Sequence, residues 1–153
     1  MNQKSIIHKN SSKITASFQQ KSSGVSLVII NTIAIYYFIK VVEMARQGDA
    51  MPVGFGQLVL TTLILIVVAE IVLQTVLTIG VGSASAPTQR DREAAAKAKL
   101  NGYRVLAIGT LATFGSVFFD ATPFMMANIA LLAFVLAEIT RFASQLIIYQ
   151  QSK

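Results

Sequence analysis

The chain has 153 residues, 54% of them hydrophobic and 13% charged, with a mean hydropathy of +0.61 and a formal net charge of +6. That balance does not fit a water-facing surface, so a soluble domain is excluded in favour of a protein whose solvent is hydrocarbon. With no cysteine and a single histidine, His8 in a polar tail, the chain lacks the ligands that haem, copper, zinc and di-iron centres draw on, and no metal or other cofactor is expected.

Residues 1–23 form a tail with Lys4, Lys9, Lys13 and Lys21, many Ser, Gln and Asn, and no acid. The composition points to a solvated, disordered segment. Ile7, Ile14 and Phe18 fall at helical spacing, which gives a second reading, a surface helix whose lysines meet anionic headgroups. The apolar run that follows is long, starts late and has no small-residue cleavage site after it, so the tail is read as retained rather than as a signal peptide.

The membrane domain is expected over 24–150. Its first span, about 24–42, is apolar except for Ser26, Asn31 and Thr32, and ends in Tyr36-Tyr37-Phe38, an aromatic group suited to an interface. Asn31 at mid-depth needs a partner, most simply a backbone carbonyl or a neighbouring helix. A short connection leads to Pro52, placed for the first turn of a helix, and a second span at about 58–81 with Glu70 near its middle. Gly80, Gly82 and the Ser83 to Pro87 stretch then open the longest polar segment, 83–102.

In that segment Thr88 and Asp91 have capping-box spacing, and Arg90 to Lys99 is rich in helix formers with Glu93 and Lys97 at i,i+4. A short surface helix is expected there, either ended by Asn101-Gly102 or continuing through it into the third span, about 103–119. On that span Gly109, Ala112 and Ser116 form a small-residue face on which another backbone can approach closely. Asp120-Ala121-Thr122 is too short for an extramembrane domain, and Pro123 opens the fourth span, about 124–149.

The fold class is therefore all-α: an integral membrane four-helix bundle. An internal repeat is also readable. Asp49-Ala50-Met51-Pro52 precedes span two as Asp120-Ala121-Thr122-Pro123 precedes span four, and Val68-Ala69-Glu70-Ile71 matches Leu136-Ala137-Glu138-Ile139. The Asp-to-Glu separation is 70 − 49 = 21 in one copy and 138 − 120 = 18 in the other, a difference of about one helical turn assigned to Gly54-Phe55-Gly56. The reading is a tandem duplication of a helical hairpin, with both copies in one orientation.

Carboxylates within membrane spans carry the chemistry. Each costs roughly 2.5 to 3.5 kcal/mol at the middle of a spanning helix, so Glu70 and Glu138 are expected to face protein or water. Arg141, one turn after Glu138, is their counter-ion, and Gln74 shares the face of Glu70. The expected buried polar centre is Glu70, Glu138, Arg141, Gln74 and Asn31. Two acids against one guanidinium leave a charge of −1 unless one acid is protonated.

Lysine and arginine set the orientation. The tail and the central connection (Arg90, Arg92, Lys97, Lys99 and Arg104) carry most of the cations, which places both termini and that connection on the cytoplasmic side of the membrane. Lys4, Lys9, Lys13, Lys21, Arg90, Arg92, Lys97 and Lys99 are the expected lipid-headgroup contacts, and this membrane-proximal distribution, not nucleic acid, accounts for the net charge.

Arg90-Asp91-Arg92-Glu93 with Lys99 and Tyr103, then Asn128 to Ile139, Ser144-Gln145-Leu146 and Tyr149, resemble an uncharacterised family of bacterial four-span inner-membrane proteins. That family carries an aspartate-glutamate-arginine-aspartate type loop and a leucine-alanine-glutamate helix ending in serine-glutamine-leucine. The chain departs from it at Gln89-Arg90-Asp91, where the first acids are missing, and at Gln150-Gln151, where relatives tend to be basic. The resemblance implies the fold and the membrane, and no activity.

No catalytic residues are expected: Ser116 has no histidine to activate it, and there is no glycine-rich phosphate loop. The chain is expected to act by association, as a homo-oligomer or as an accessory subunit of another membrane protein. The alternative is a proton-coupled small-solute transporter or ion-conducting oligomer that uses Glu70 or Glu138.

Overall fold

The structure is a computed structural model describing residues 3–48, 51–80 and 89–151, with side chains from residue 23 onward except Gln74, 77–80, Arg90, Asp91 and 149–151. It contains α1 (Gln3–Ala45), α2 (Phe55–Gly80), α3 (Gln89–Gly115) with a 3₁₀ turn at Ser116–Phe119, and α4 (Pro123–Gln151). All four helices are long and apolar enough to cross a membrane: Ser23–Ala45, Phe55–Leu73, Arg92–Phe119 and Pro123–Ile148. The protein is an all-α, multi-pass membrane four-helix bundle.

α1 runs unbroken for 43 residues, about 65 Å at 1.5 Å per residue, of which only the last 23 form the apolar span. The tail expected to be disordered is therefore helical in its backbone. No proline interrupts residues 3–45, and a helix already nucleated by the span extends at low cost. The side chains of Lys4, Lys9, Lys13 and Lys21 lie outside the described residues.

The two hairpin turns differ. Ahead of α2, Gly54 takes a left-handed φ of 82° and the Phe55 amide donates to the Pro52 carbonyl at 3.2 Å, a four-residue turn whose third position requires glycine. Pro52 thus sits before the helix and not in its first turn. Ahead of α4, Asp120 closes the preceding turn at φ 53°, the Thr122 hydroxyl accepts from the Met125 amide at 3.3 Å, and Pro123 is the first helical residue.

Counted from the first helical residue, Glu70 follows Phe55 by 70 − 55 = 15 positions and Glu138 follows Pro123 by 138 − 123 = 15. The turn before α2, Pro52-Val53-Gly54, shares Gly54 with the stretch to which the sequence assigns its three-residue difference.

α4 is the hub of the bundle. It packs on α3 along one side and on α1 along the other, and α1 in turn packs on α2. α1 contributes Ile30, Ala34, Tyr37 and Val41, a 4-3-4 spacing that keeps one face on its neighbours. Phe55 and Ile66 of α2 and Leu131, Val135 and Phe142 of α4 complete this core. At the hairpin-turn end Phe55 meets Phe124, ring centroids 4.6 Å apart, which ties the starts of α2 and α4 together.

Tyr37, expected in an interfacial aromatic group, is fully buried on this seam, while Tyr36 faces outward. Its hydroxyl donates to Asn128 Oδ1 at 2.8 Å, and Asn128 Nδ2 donates to the Phe124 carbonyl at 2.7 Å. In hydrocarbon such an interhelical bond fixes the pairing of α1 with α4.

The α3–α4 seam is made by small residues. Ala94, Ala98 and Gly102 follow at four-residue spacing and are buried. A Cβ at Gly102 would come within 2.9 Å of the Ala137 carbonyl oxygen, and one at Gly109 would overlap the Ala133 methyl. The polar-loop helix and the third span are thus one helix. Asn101 and Gly102 do not end it; Gly102 is a point of close approach to the backbone of α4.

Candidate functional site

Glu138 and Arg141 lie one turn apart on α4, so a single face presents both. Arg141 Nη1 is 3.1 Å from Glu138 Oε2 and donates to Oε1 at 3.4 Å, while Nη2 donates to Glu70 Oε1 of α2 at 3.1 Å. One guanidinium therefore clamps carboxylates from two helices, a task its rigid fork of donors suits. Its carbon centre also lies 4.4 Å from the centroid of the Phe142 ring.

The stem of Arg141 depends on Gly102, since a Cβ there would stand 3.1 Å from that of Arg141. The arginine thus leaves the α3–α4 seam and crosses toward α2. Its side chain is 23% exposed, and those of Glu70 and Glu138 are 21% and 16% exposed. Glu138 Oε2 is itself buried and accepts no hydrogen bond. With both acids ionised the cluster carries a formal charge of −1.

Glu138 lies about 22 Å and Arg141 about 27 Å along α4 from Pro123, toward the end of the bundle at which α3 brings in Lys97, Lys99 and Arg104. Asn101 Nδ2 donating to Ser144 Oγ at 3.2 Å continues the polar layer at this end.

The other expected site residues are distributed as follows. Asn31 donates to the Leu27 carbonyl of its own helix at 2.8 Å and does not join the cluster. The side chain of Gln74 lies outside the described residues. Gly109 is on the α3–α4 seam and Ser116 is half-buried, donating to the Thr113 carbonyl at 2.7 Å, but Ala112 is exposed. Residue 112 lies about 60° from residue 109 around the axis of α3, which places it on the flank of the seam. Arg92, Lys97 and Lys99 are exposed, as headgroup contact requires; the side chain of Arg90 lies outside the described residues, as does Thr88 of the capping pair.

Sequence reasoning missed the Tyr37–Asn128 bond and the Ala94, Ala98, Gly102 contact. Asn128 interrupts an apolar run and Gly102 interrupts a strong helix, so each carried a signal. Among the described residues no three His, Asp or Glu side chains gather as a metal-binding group. No known protein family, curated protein or solved structure matches this chain.

Proposed function

We propose that the protein acts within the bilayer by association, as a homo-oligomer or an accessory subunit of a larger membrane assembly, without catalysis of its own. The observation that supports this is the exposure of about a fifth of each ionic side chain in the Glu70–Arg141–Glu138 cluster. Charges left open to lipid cost a few kcal/mol each, and a neighbouring helix over the α2–α4–α3 side removes that cost. Among the described residues α2 packs on α1 and α3 on α4, and each keeps exposed apolar side chains for a partner to cover, Ile64 and Ile71 on α2 and Ile108 and Leu111 on α3.

The equal 15-residue registers of Glu70 and Glu138 support the duplicated hairpin, with the cationic ends in the cytoplasm of a bacterial inner membrane. Purification from the native membrane in mild detergent, with size determination and identification of co-migrating chains, tests the reading. A stoichiometric partner or a self-assembled oligomer is the expected result; a lone monomer overturns it.

A second reading rests on the unbalanced charge. A cluster with two acids and one base can exchange a proton, so a proton-coupled transporter or conducting oligomer is the alternative. Proton uptake in vesicles that is unchanged by Glu70→Gln and by Glu138→Gln rules it out.

A further inference from the structure

Arg104 is a cation on the outer face of α3, inside the span Arg92–Phe119. Gly102 and Gly109 turn α3 toward α4, and residue 104 stands about 200° around the axis from Gly102, so it faces away from that seam. Its side chain is exposed, and on the same face, one or two turns away, Leu100, Ile108 and Leu111 are 49%, 69% and 71% exposed.

No acidic side chain of the same chain comes within reach of it. Of the seven acids, Glu70 and Glu138 are held by Arg141 on the far side of α3. Glu93 and Asp91 lie 11 and 13 residues earlier on the same helix, about 16 and 20 Å away, and Asp120 lies beyond its other end. Glu43 and Asp49 belong to the connection between α1 and α2. A guanidinium left facing lipid in a spanning helix costs a few kcal/mol.

The complement to this cation is the ion cluster, with its formal charge of −1 and about a fifth of each ionic side chain exposed. The two stand at one level. Gly102 meets Ala137 and Arg141, and Gly109 meets Ala133, so residue 104 is within about one helical turn, roughly 5 Å, of Glu138 along the bundle. Copies of a membrane protein share one orientation, so the symmetry axis relating them runs along the membrane normal and keeps each residue at its own depth. A cation meets the cluster of a second copy in such a pair only where their levels agree. Lys97, on the same face as Arg104, is seven residues away, about 10 Å out of register.

We infer that a second copy of this chain completes the cluster: the outer face of α3 covers the α2–α4–α3 side of the other copy, and each Arg104 sets its guanidinium against Glu70 and Glu138 across the interface. Each cluster then has two acids and two guanidinium groups, and a two-fold axis satisfies both clusters at once. The inference rests on the association reading and narrows it to self-association through this face.

Full-length protein with donor or acceptor fluorophores on an N-terminal tag, reconstituted in vesicles of phosphatidylethanolamine and phosphatidylglycerol and diluted in lipid, gives the dimerisation constant by energy transfer. The native chain is expected to dimerise. Arg104→Gln, at an exposed position, weakens dimerisation about thirtyfold or more, the loss expected on removing one partner of a covered charge pair. Arg46→Gln, exposed at the hairpin-turn end, changes it less than about twofold; an equal loss there overturns the assignment. Glu70→Gln leaves Glu138 and Arg141 balanced and Arg104 without a counter-charge, so it also weakens dimerisation, and the double variant with Arg104→Gln is no weaker than either single one. Dimerisation unchanged by Arg104→Gln, or losses that add in the double variant, overturn the interface while association itself stands. A chain that stays monomeric in vesicles but co-purifies with a foreign chain from its membrane overturns it too; a monomer in both experiments also removes the association reading.

Discussion

Replacing Arg141 with methionine removes the only cation of the cluster while keeping most of the stem that packs against Gly102. In the native chain its two ion pairs have N···O distances of 3.1 Å, so each charge pair is separated by about 4 Å and attracts by roughly 4 kcal/mol at an effective dielectric constant of 20. The variant loses both attractions and leaves two carboxylates facing each other. Hydration through the exposed part of each side chain offsets much of this, and the expected net loss is about 3–5 kcal/mol, the range for breaking a buried pair from one side. Equilibrium unfolding of the purified protein in mixed micelles, followed by circular dichroism, measures it. The triple variant Arg141→Met, Glu70→Gln, Glu138→Gln should recover to within about 1 kcal/mol of the native chain, since nothing charged is then left unpaired. If Arg141→Met alone is as stable as the native chain, or if the triple variant is no more stable than the single one, the three groups are not an energetic unit and the argument fails.

On the α3–α4 seam, Gly109→Leu should separate the helices and cost about 2 kcal/mol or more, whereas Ala112→Leu should change stability by less than about 0.5 kcal/mol; the same unfolding assay reads both. Tyr37→Phe strips the Asn128 carboxamide of its interhelical donor and should cost roughly 0.6 to 1.7 kcal/mol, with the loss absent in an Asn128→Leu background. Reporter fusions at Gln47 and at either terminus should fall on opposite sides of the membrane, and equal labelling from one side refutes the proposed orientation.

The chain's apolar composition and the length of its apolar runs were enough for the four spans, because a segment that must satisfy every backbone hydrogen bond in lipid has little choice but to be a helix. The pairing of Glu138 with Arg141 was also legible, since i,i+3 spacing is local, and so was the small-residue character of the third span. Helix neighbours were not. Lipid tails and protein interiors are equally apolar, so the faces that meet other helices carry little periodic signal. That is why Ala112 was grouped with Gly109 when a small rotation about the helix axis turns it outward, and why Tyr37 was assigned to an interface when it is fully buried. The reach of Glu70 to Arg141 depends on α4 lying between α1 and α3. Close contact at Gly102 and Gly109 and the Tyr37–Asn128 bond set that arrangement, and these are contacts between residues distant in sequence that only the folded chain brings together.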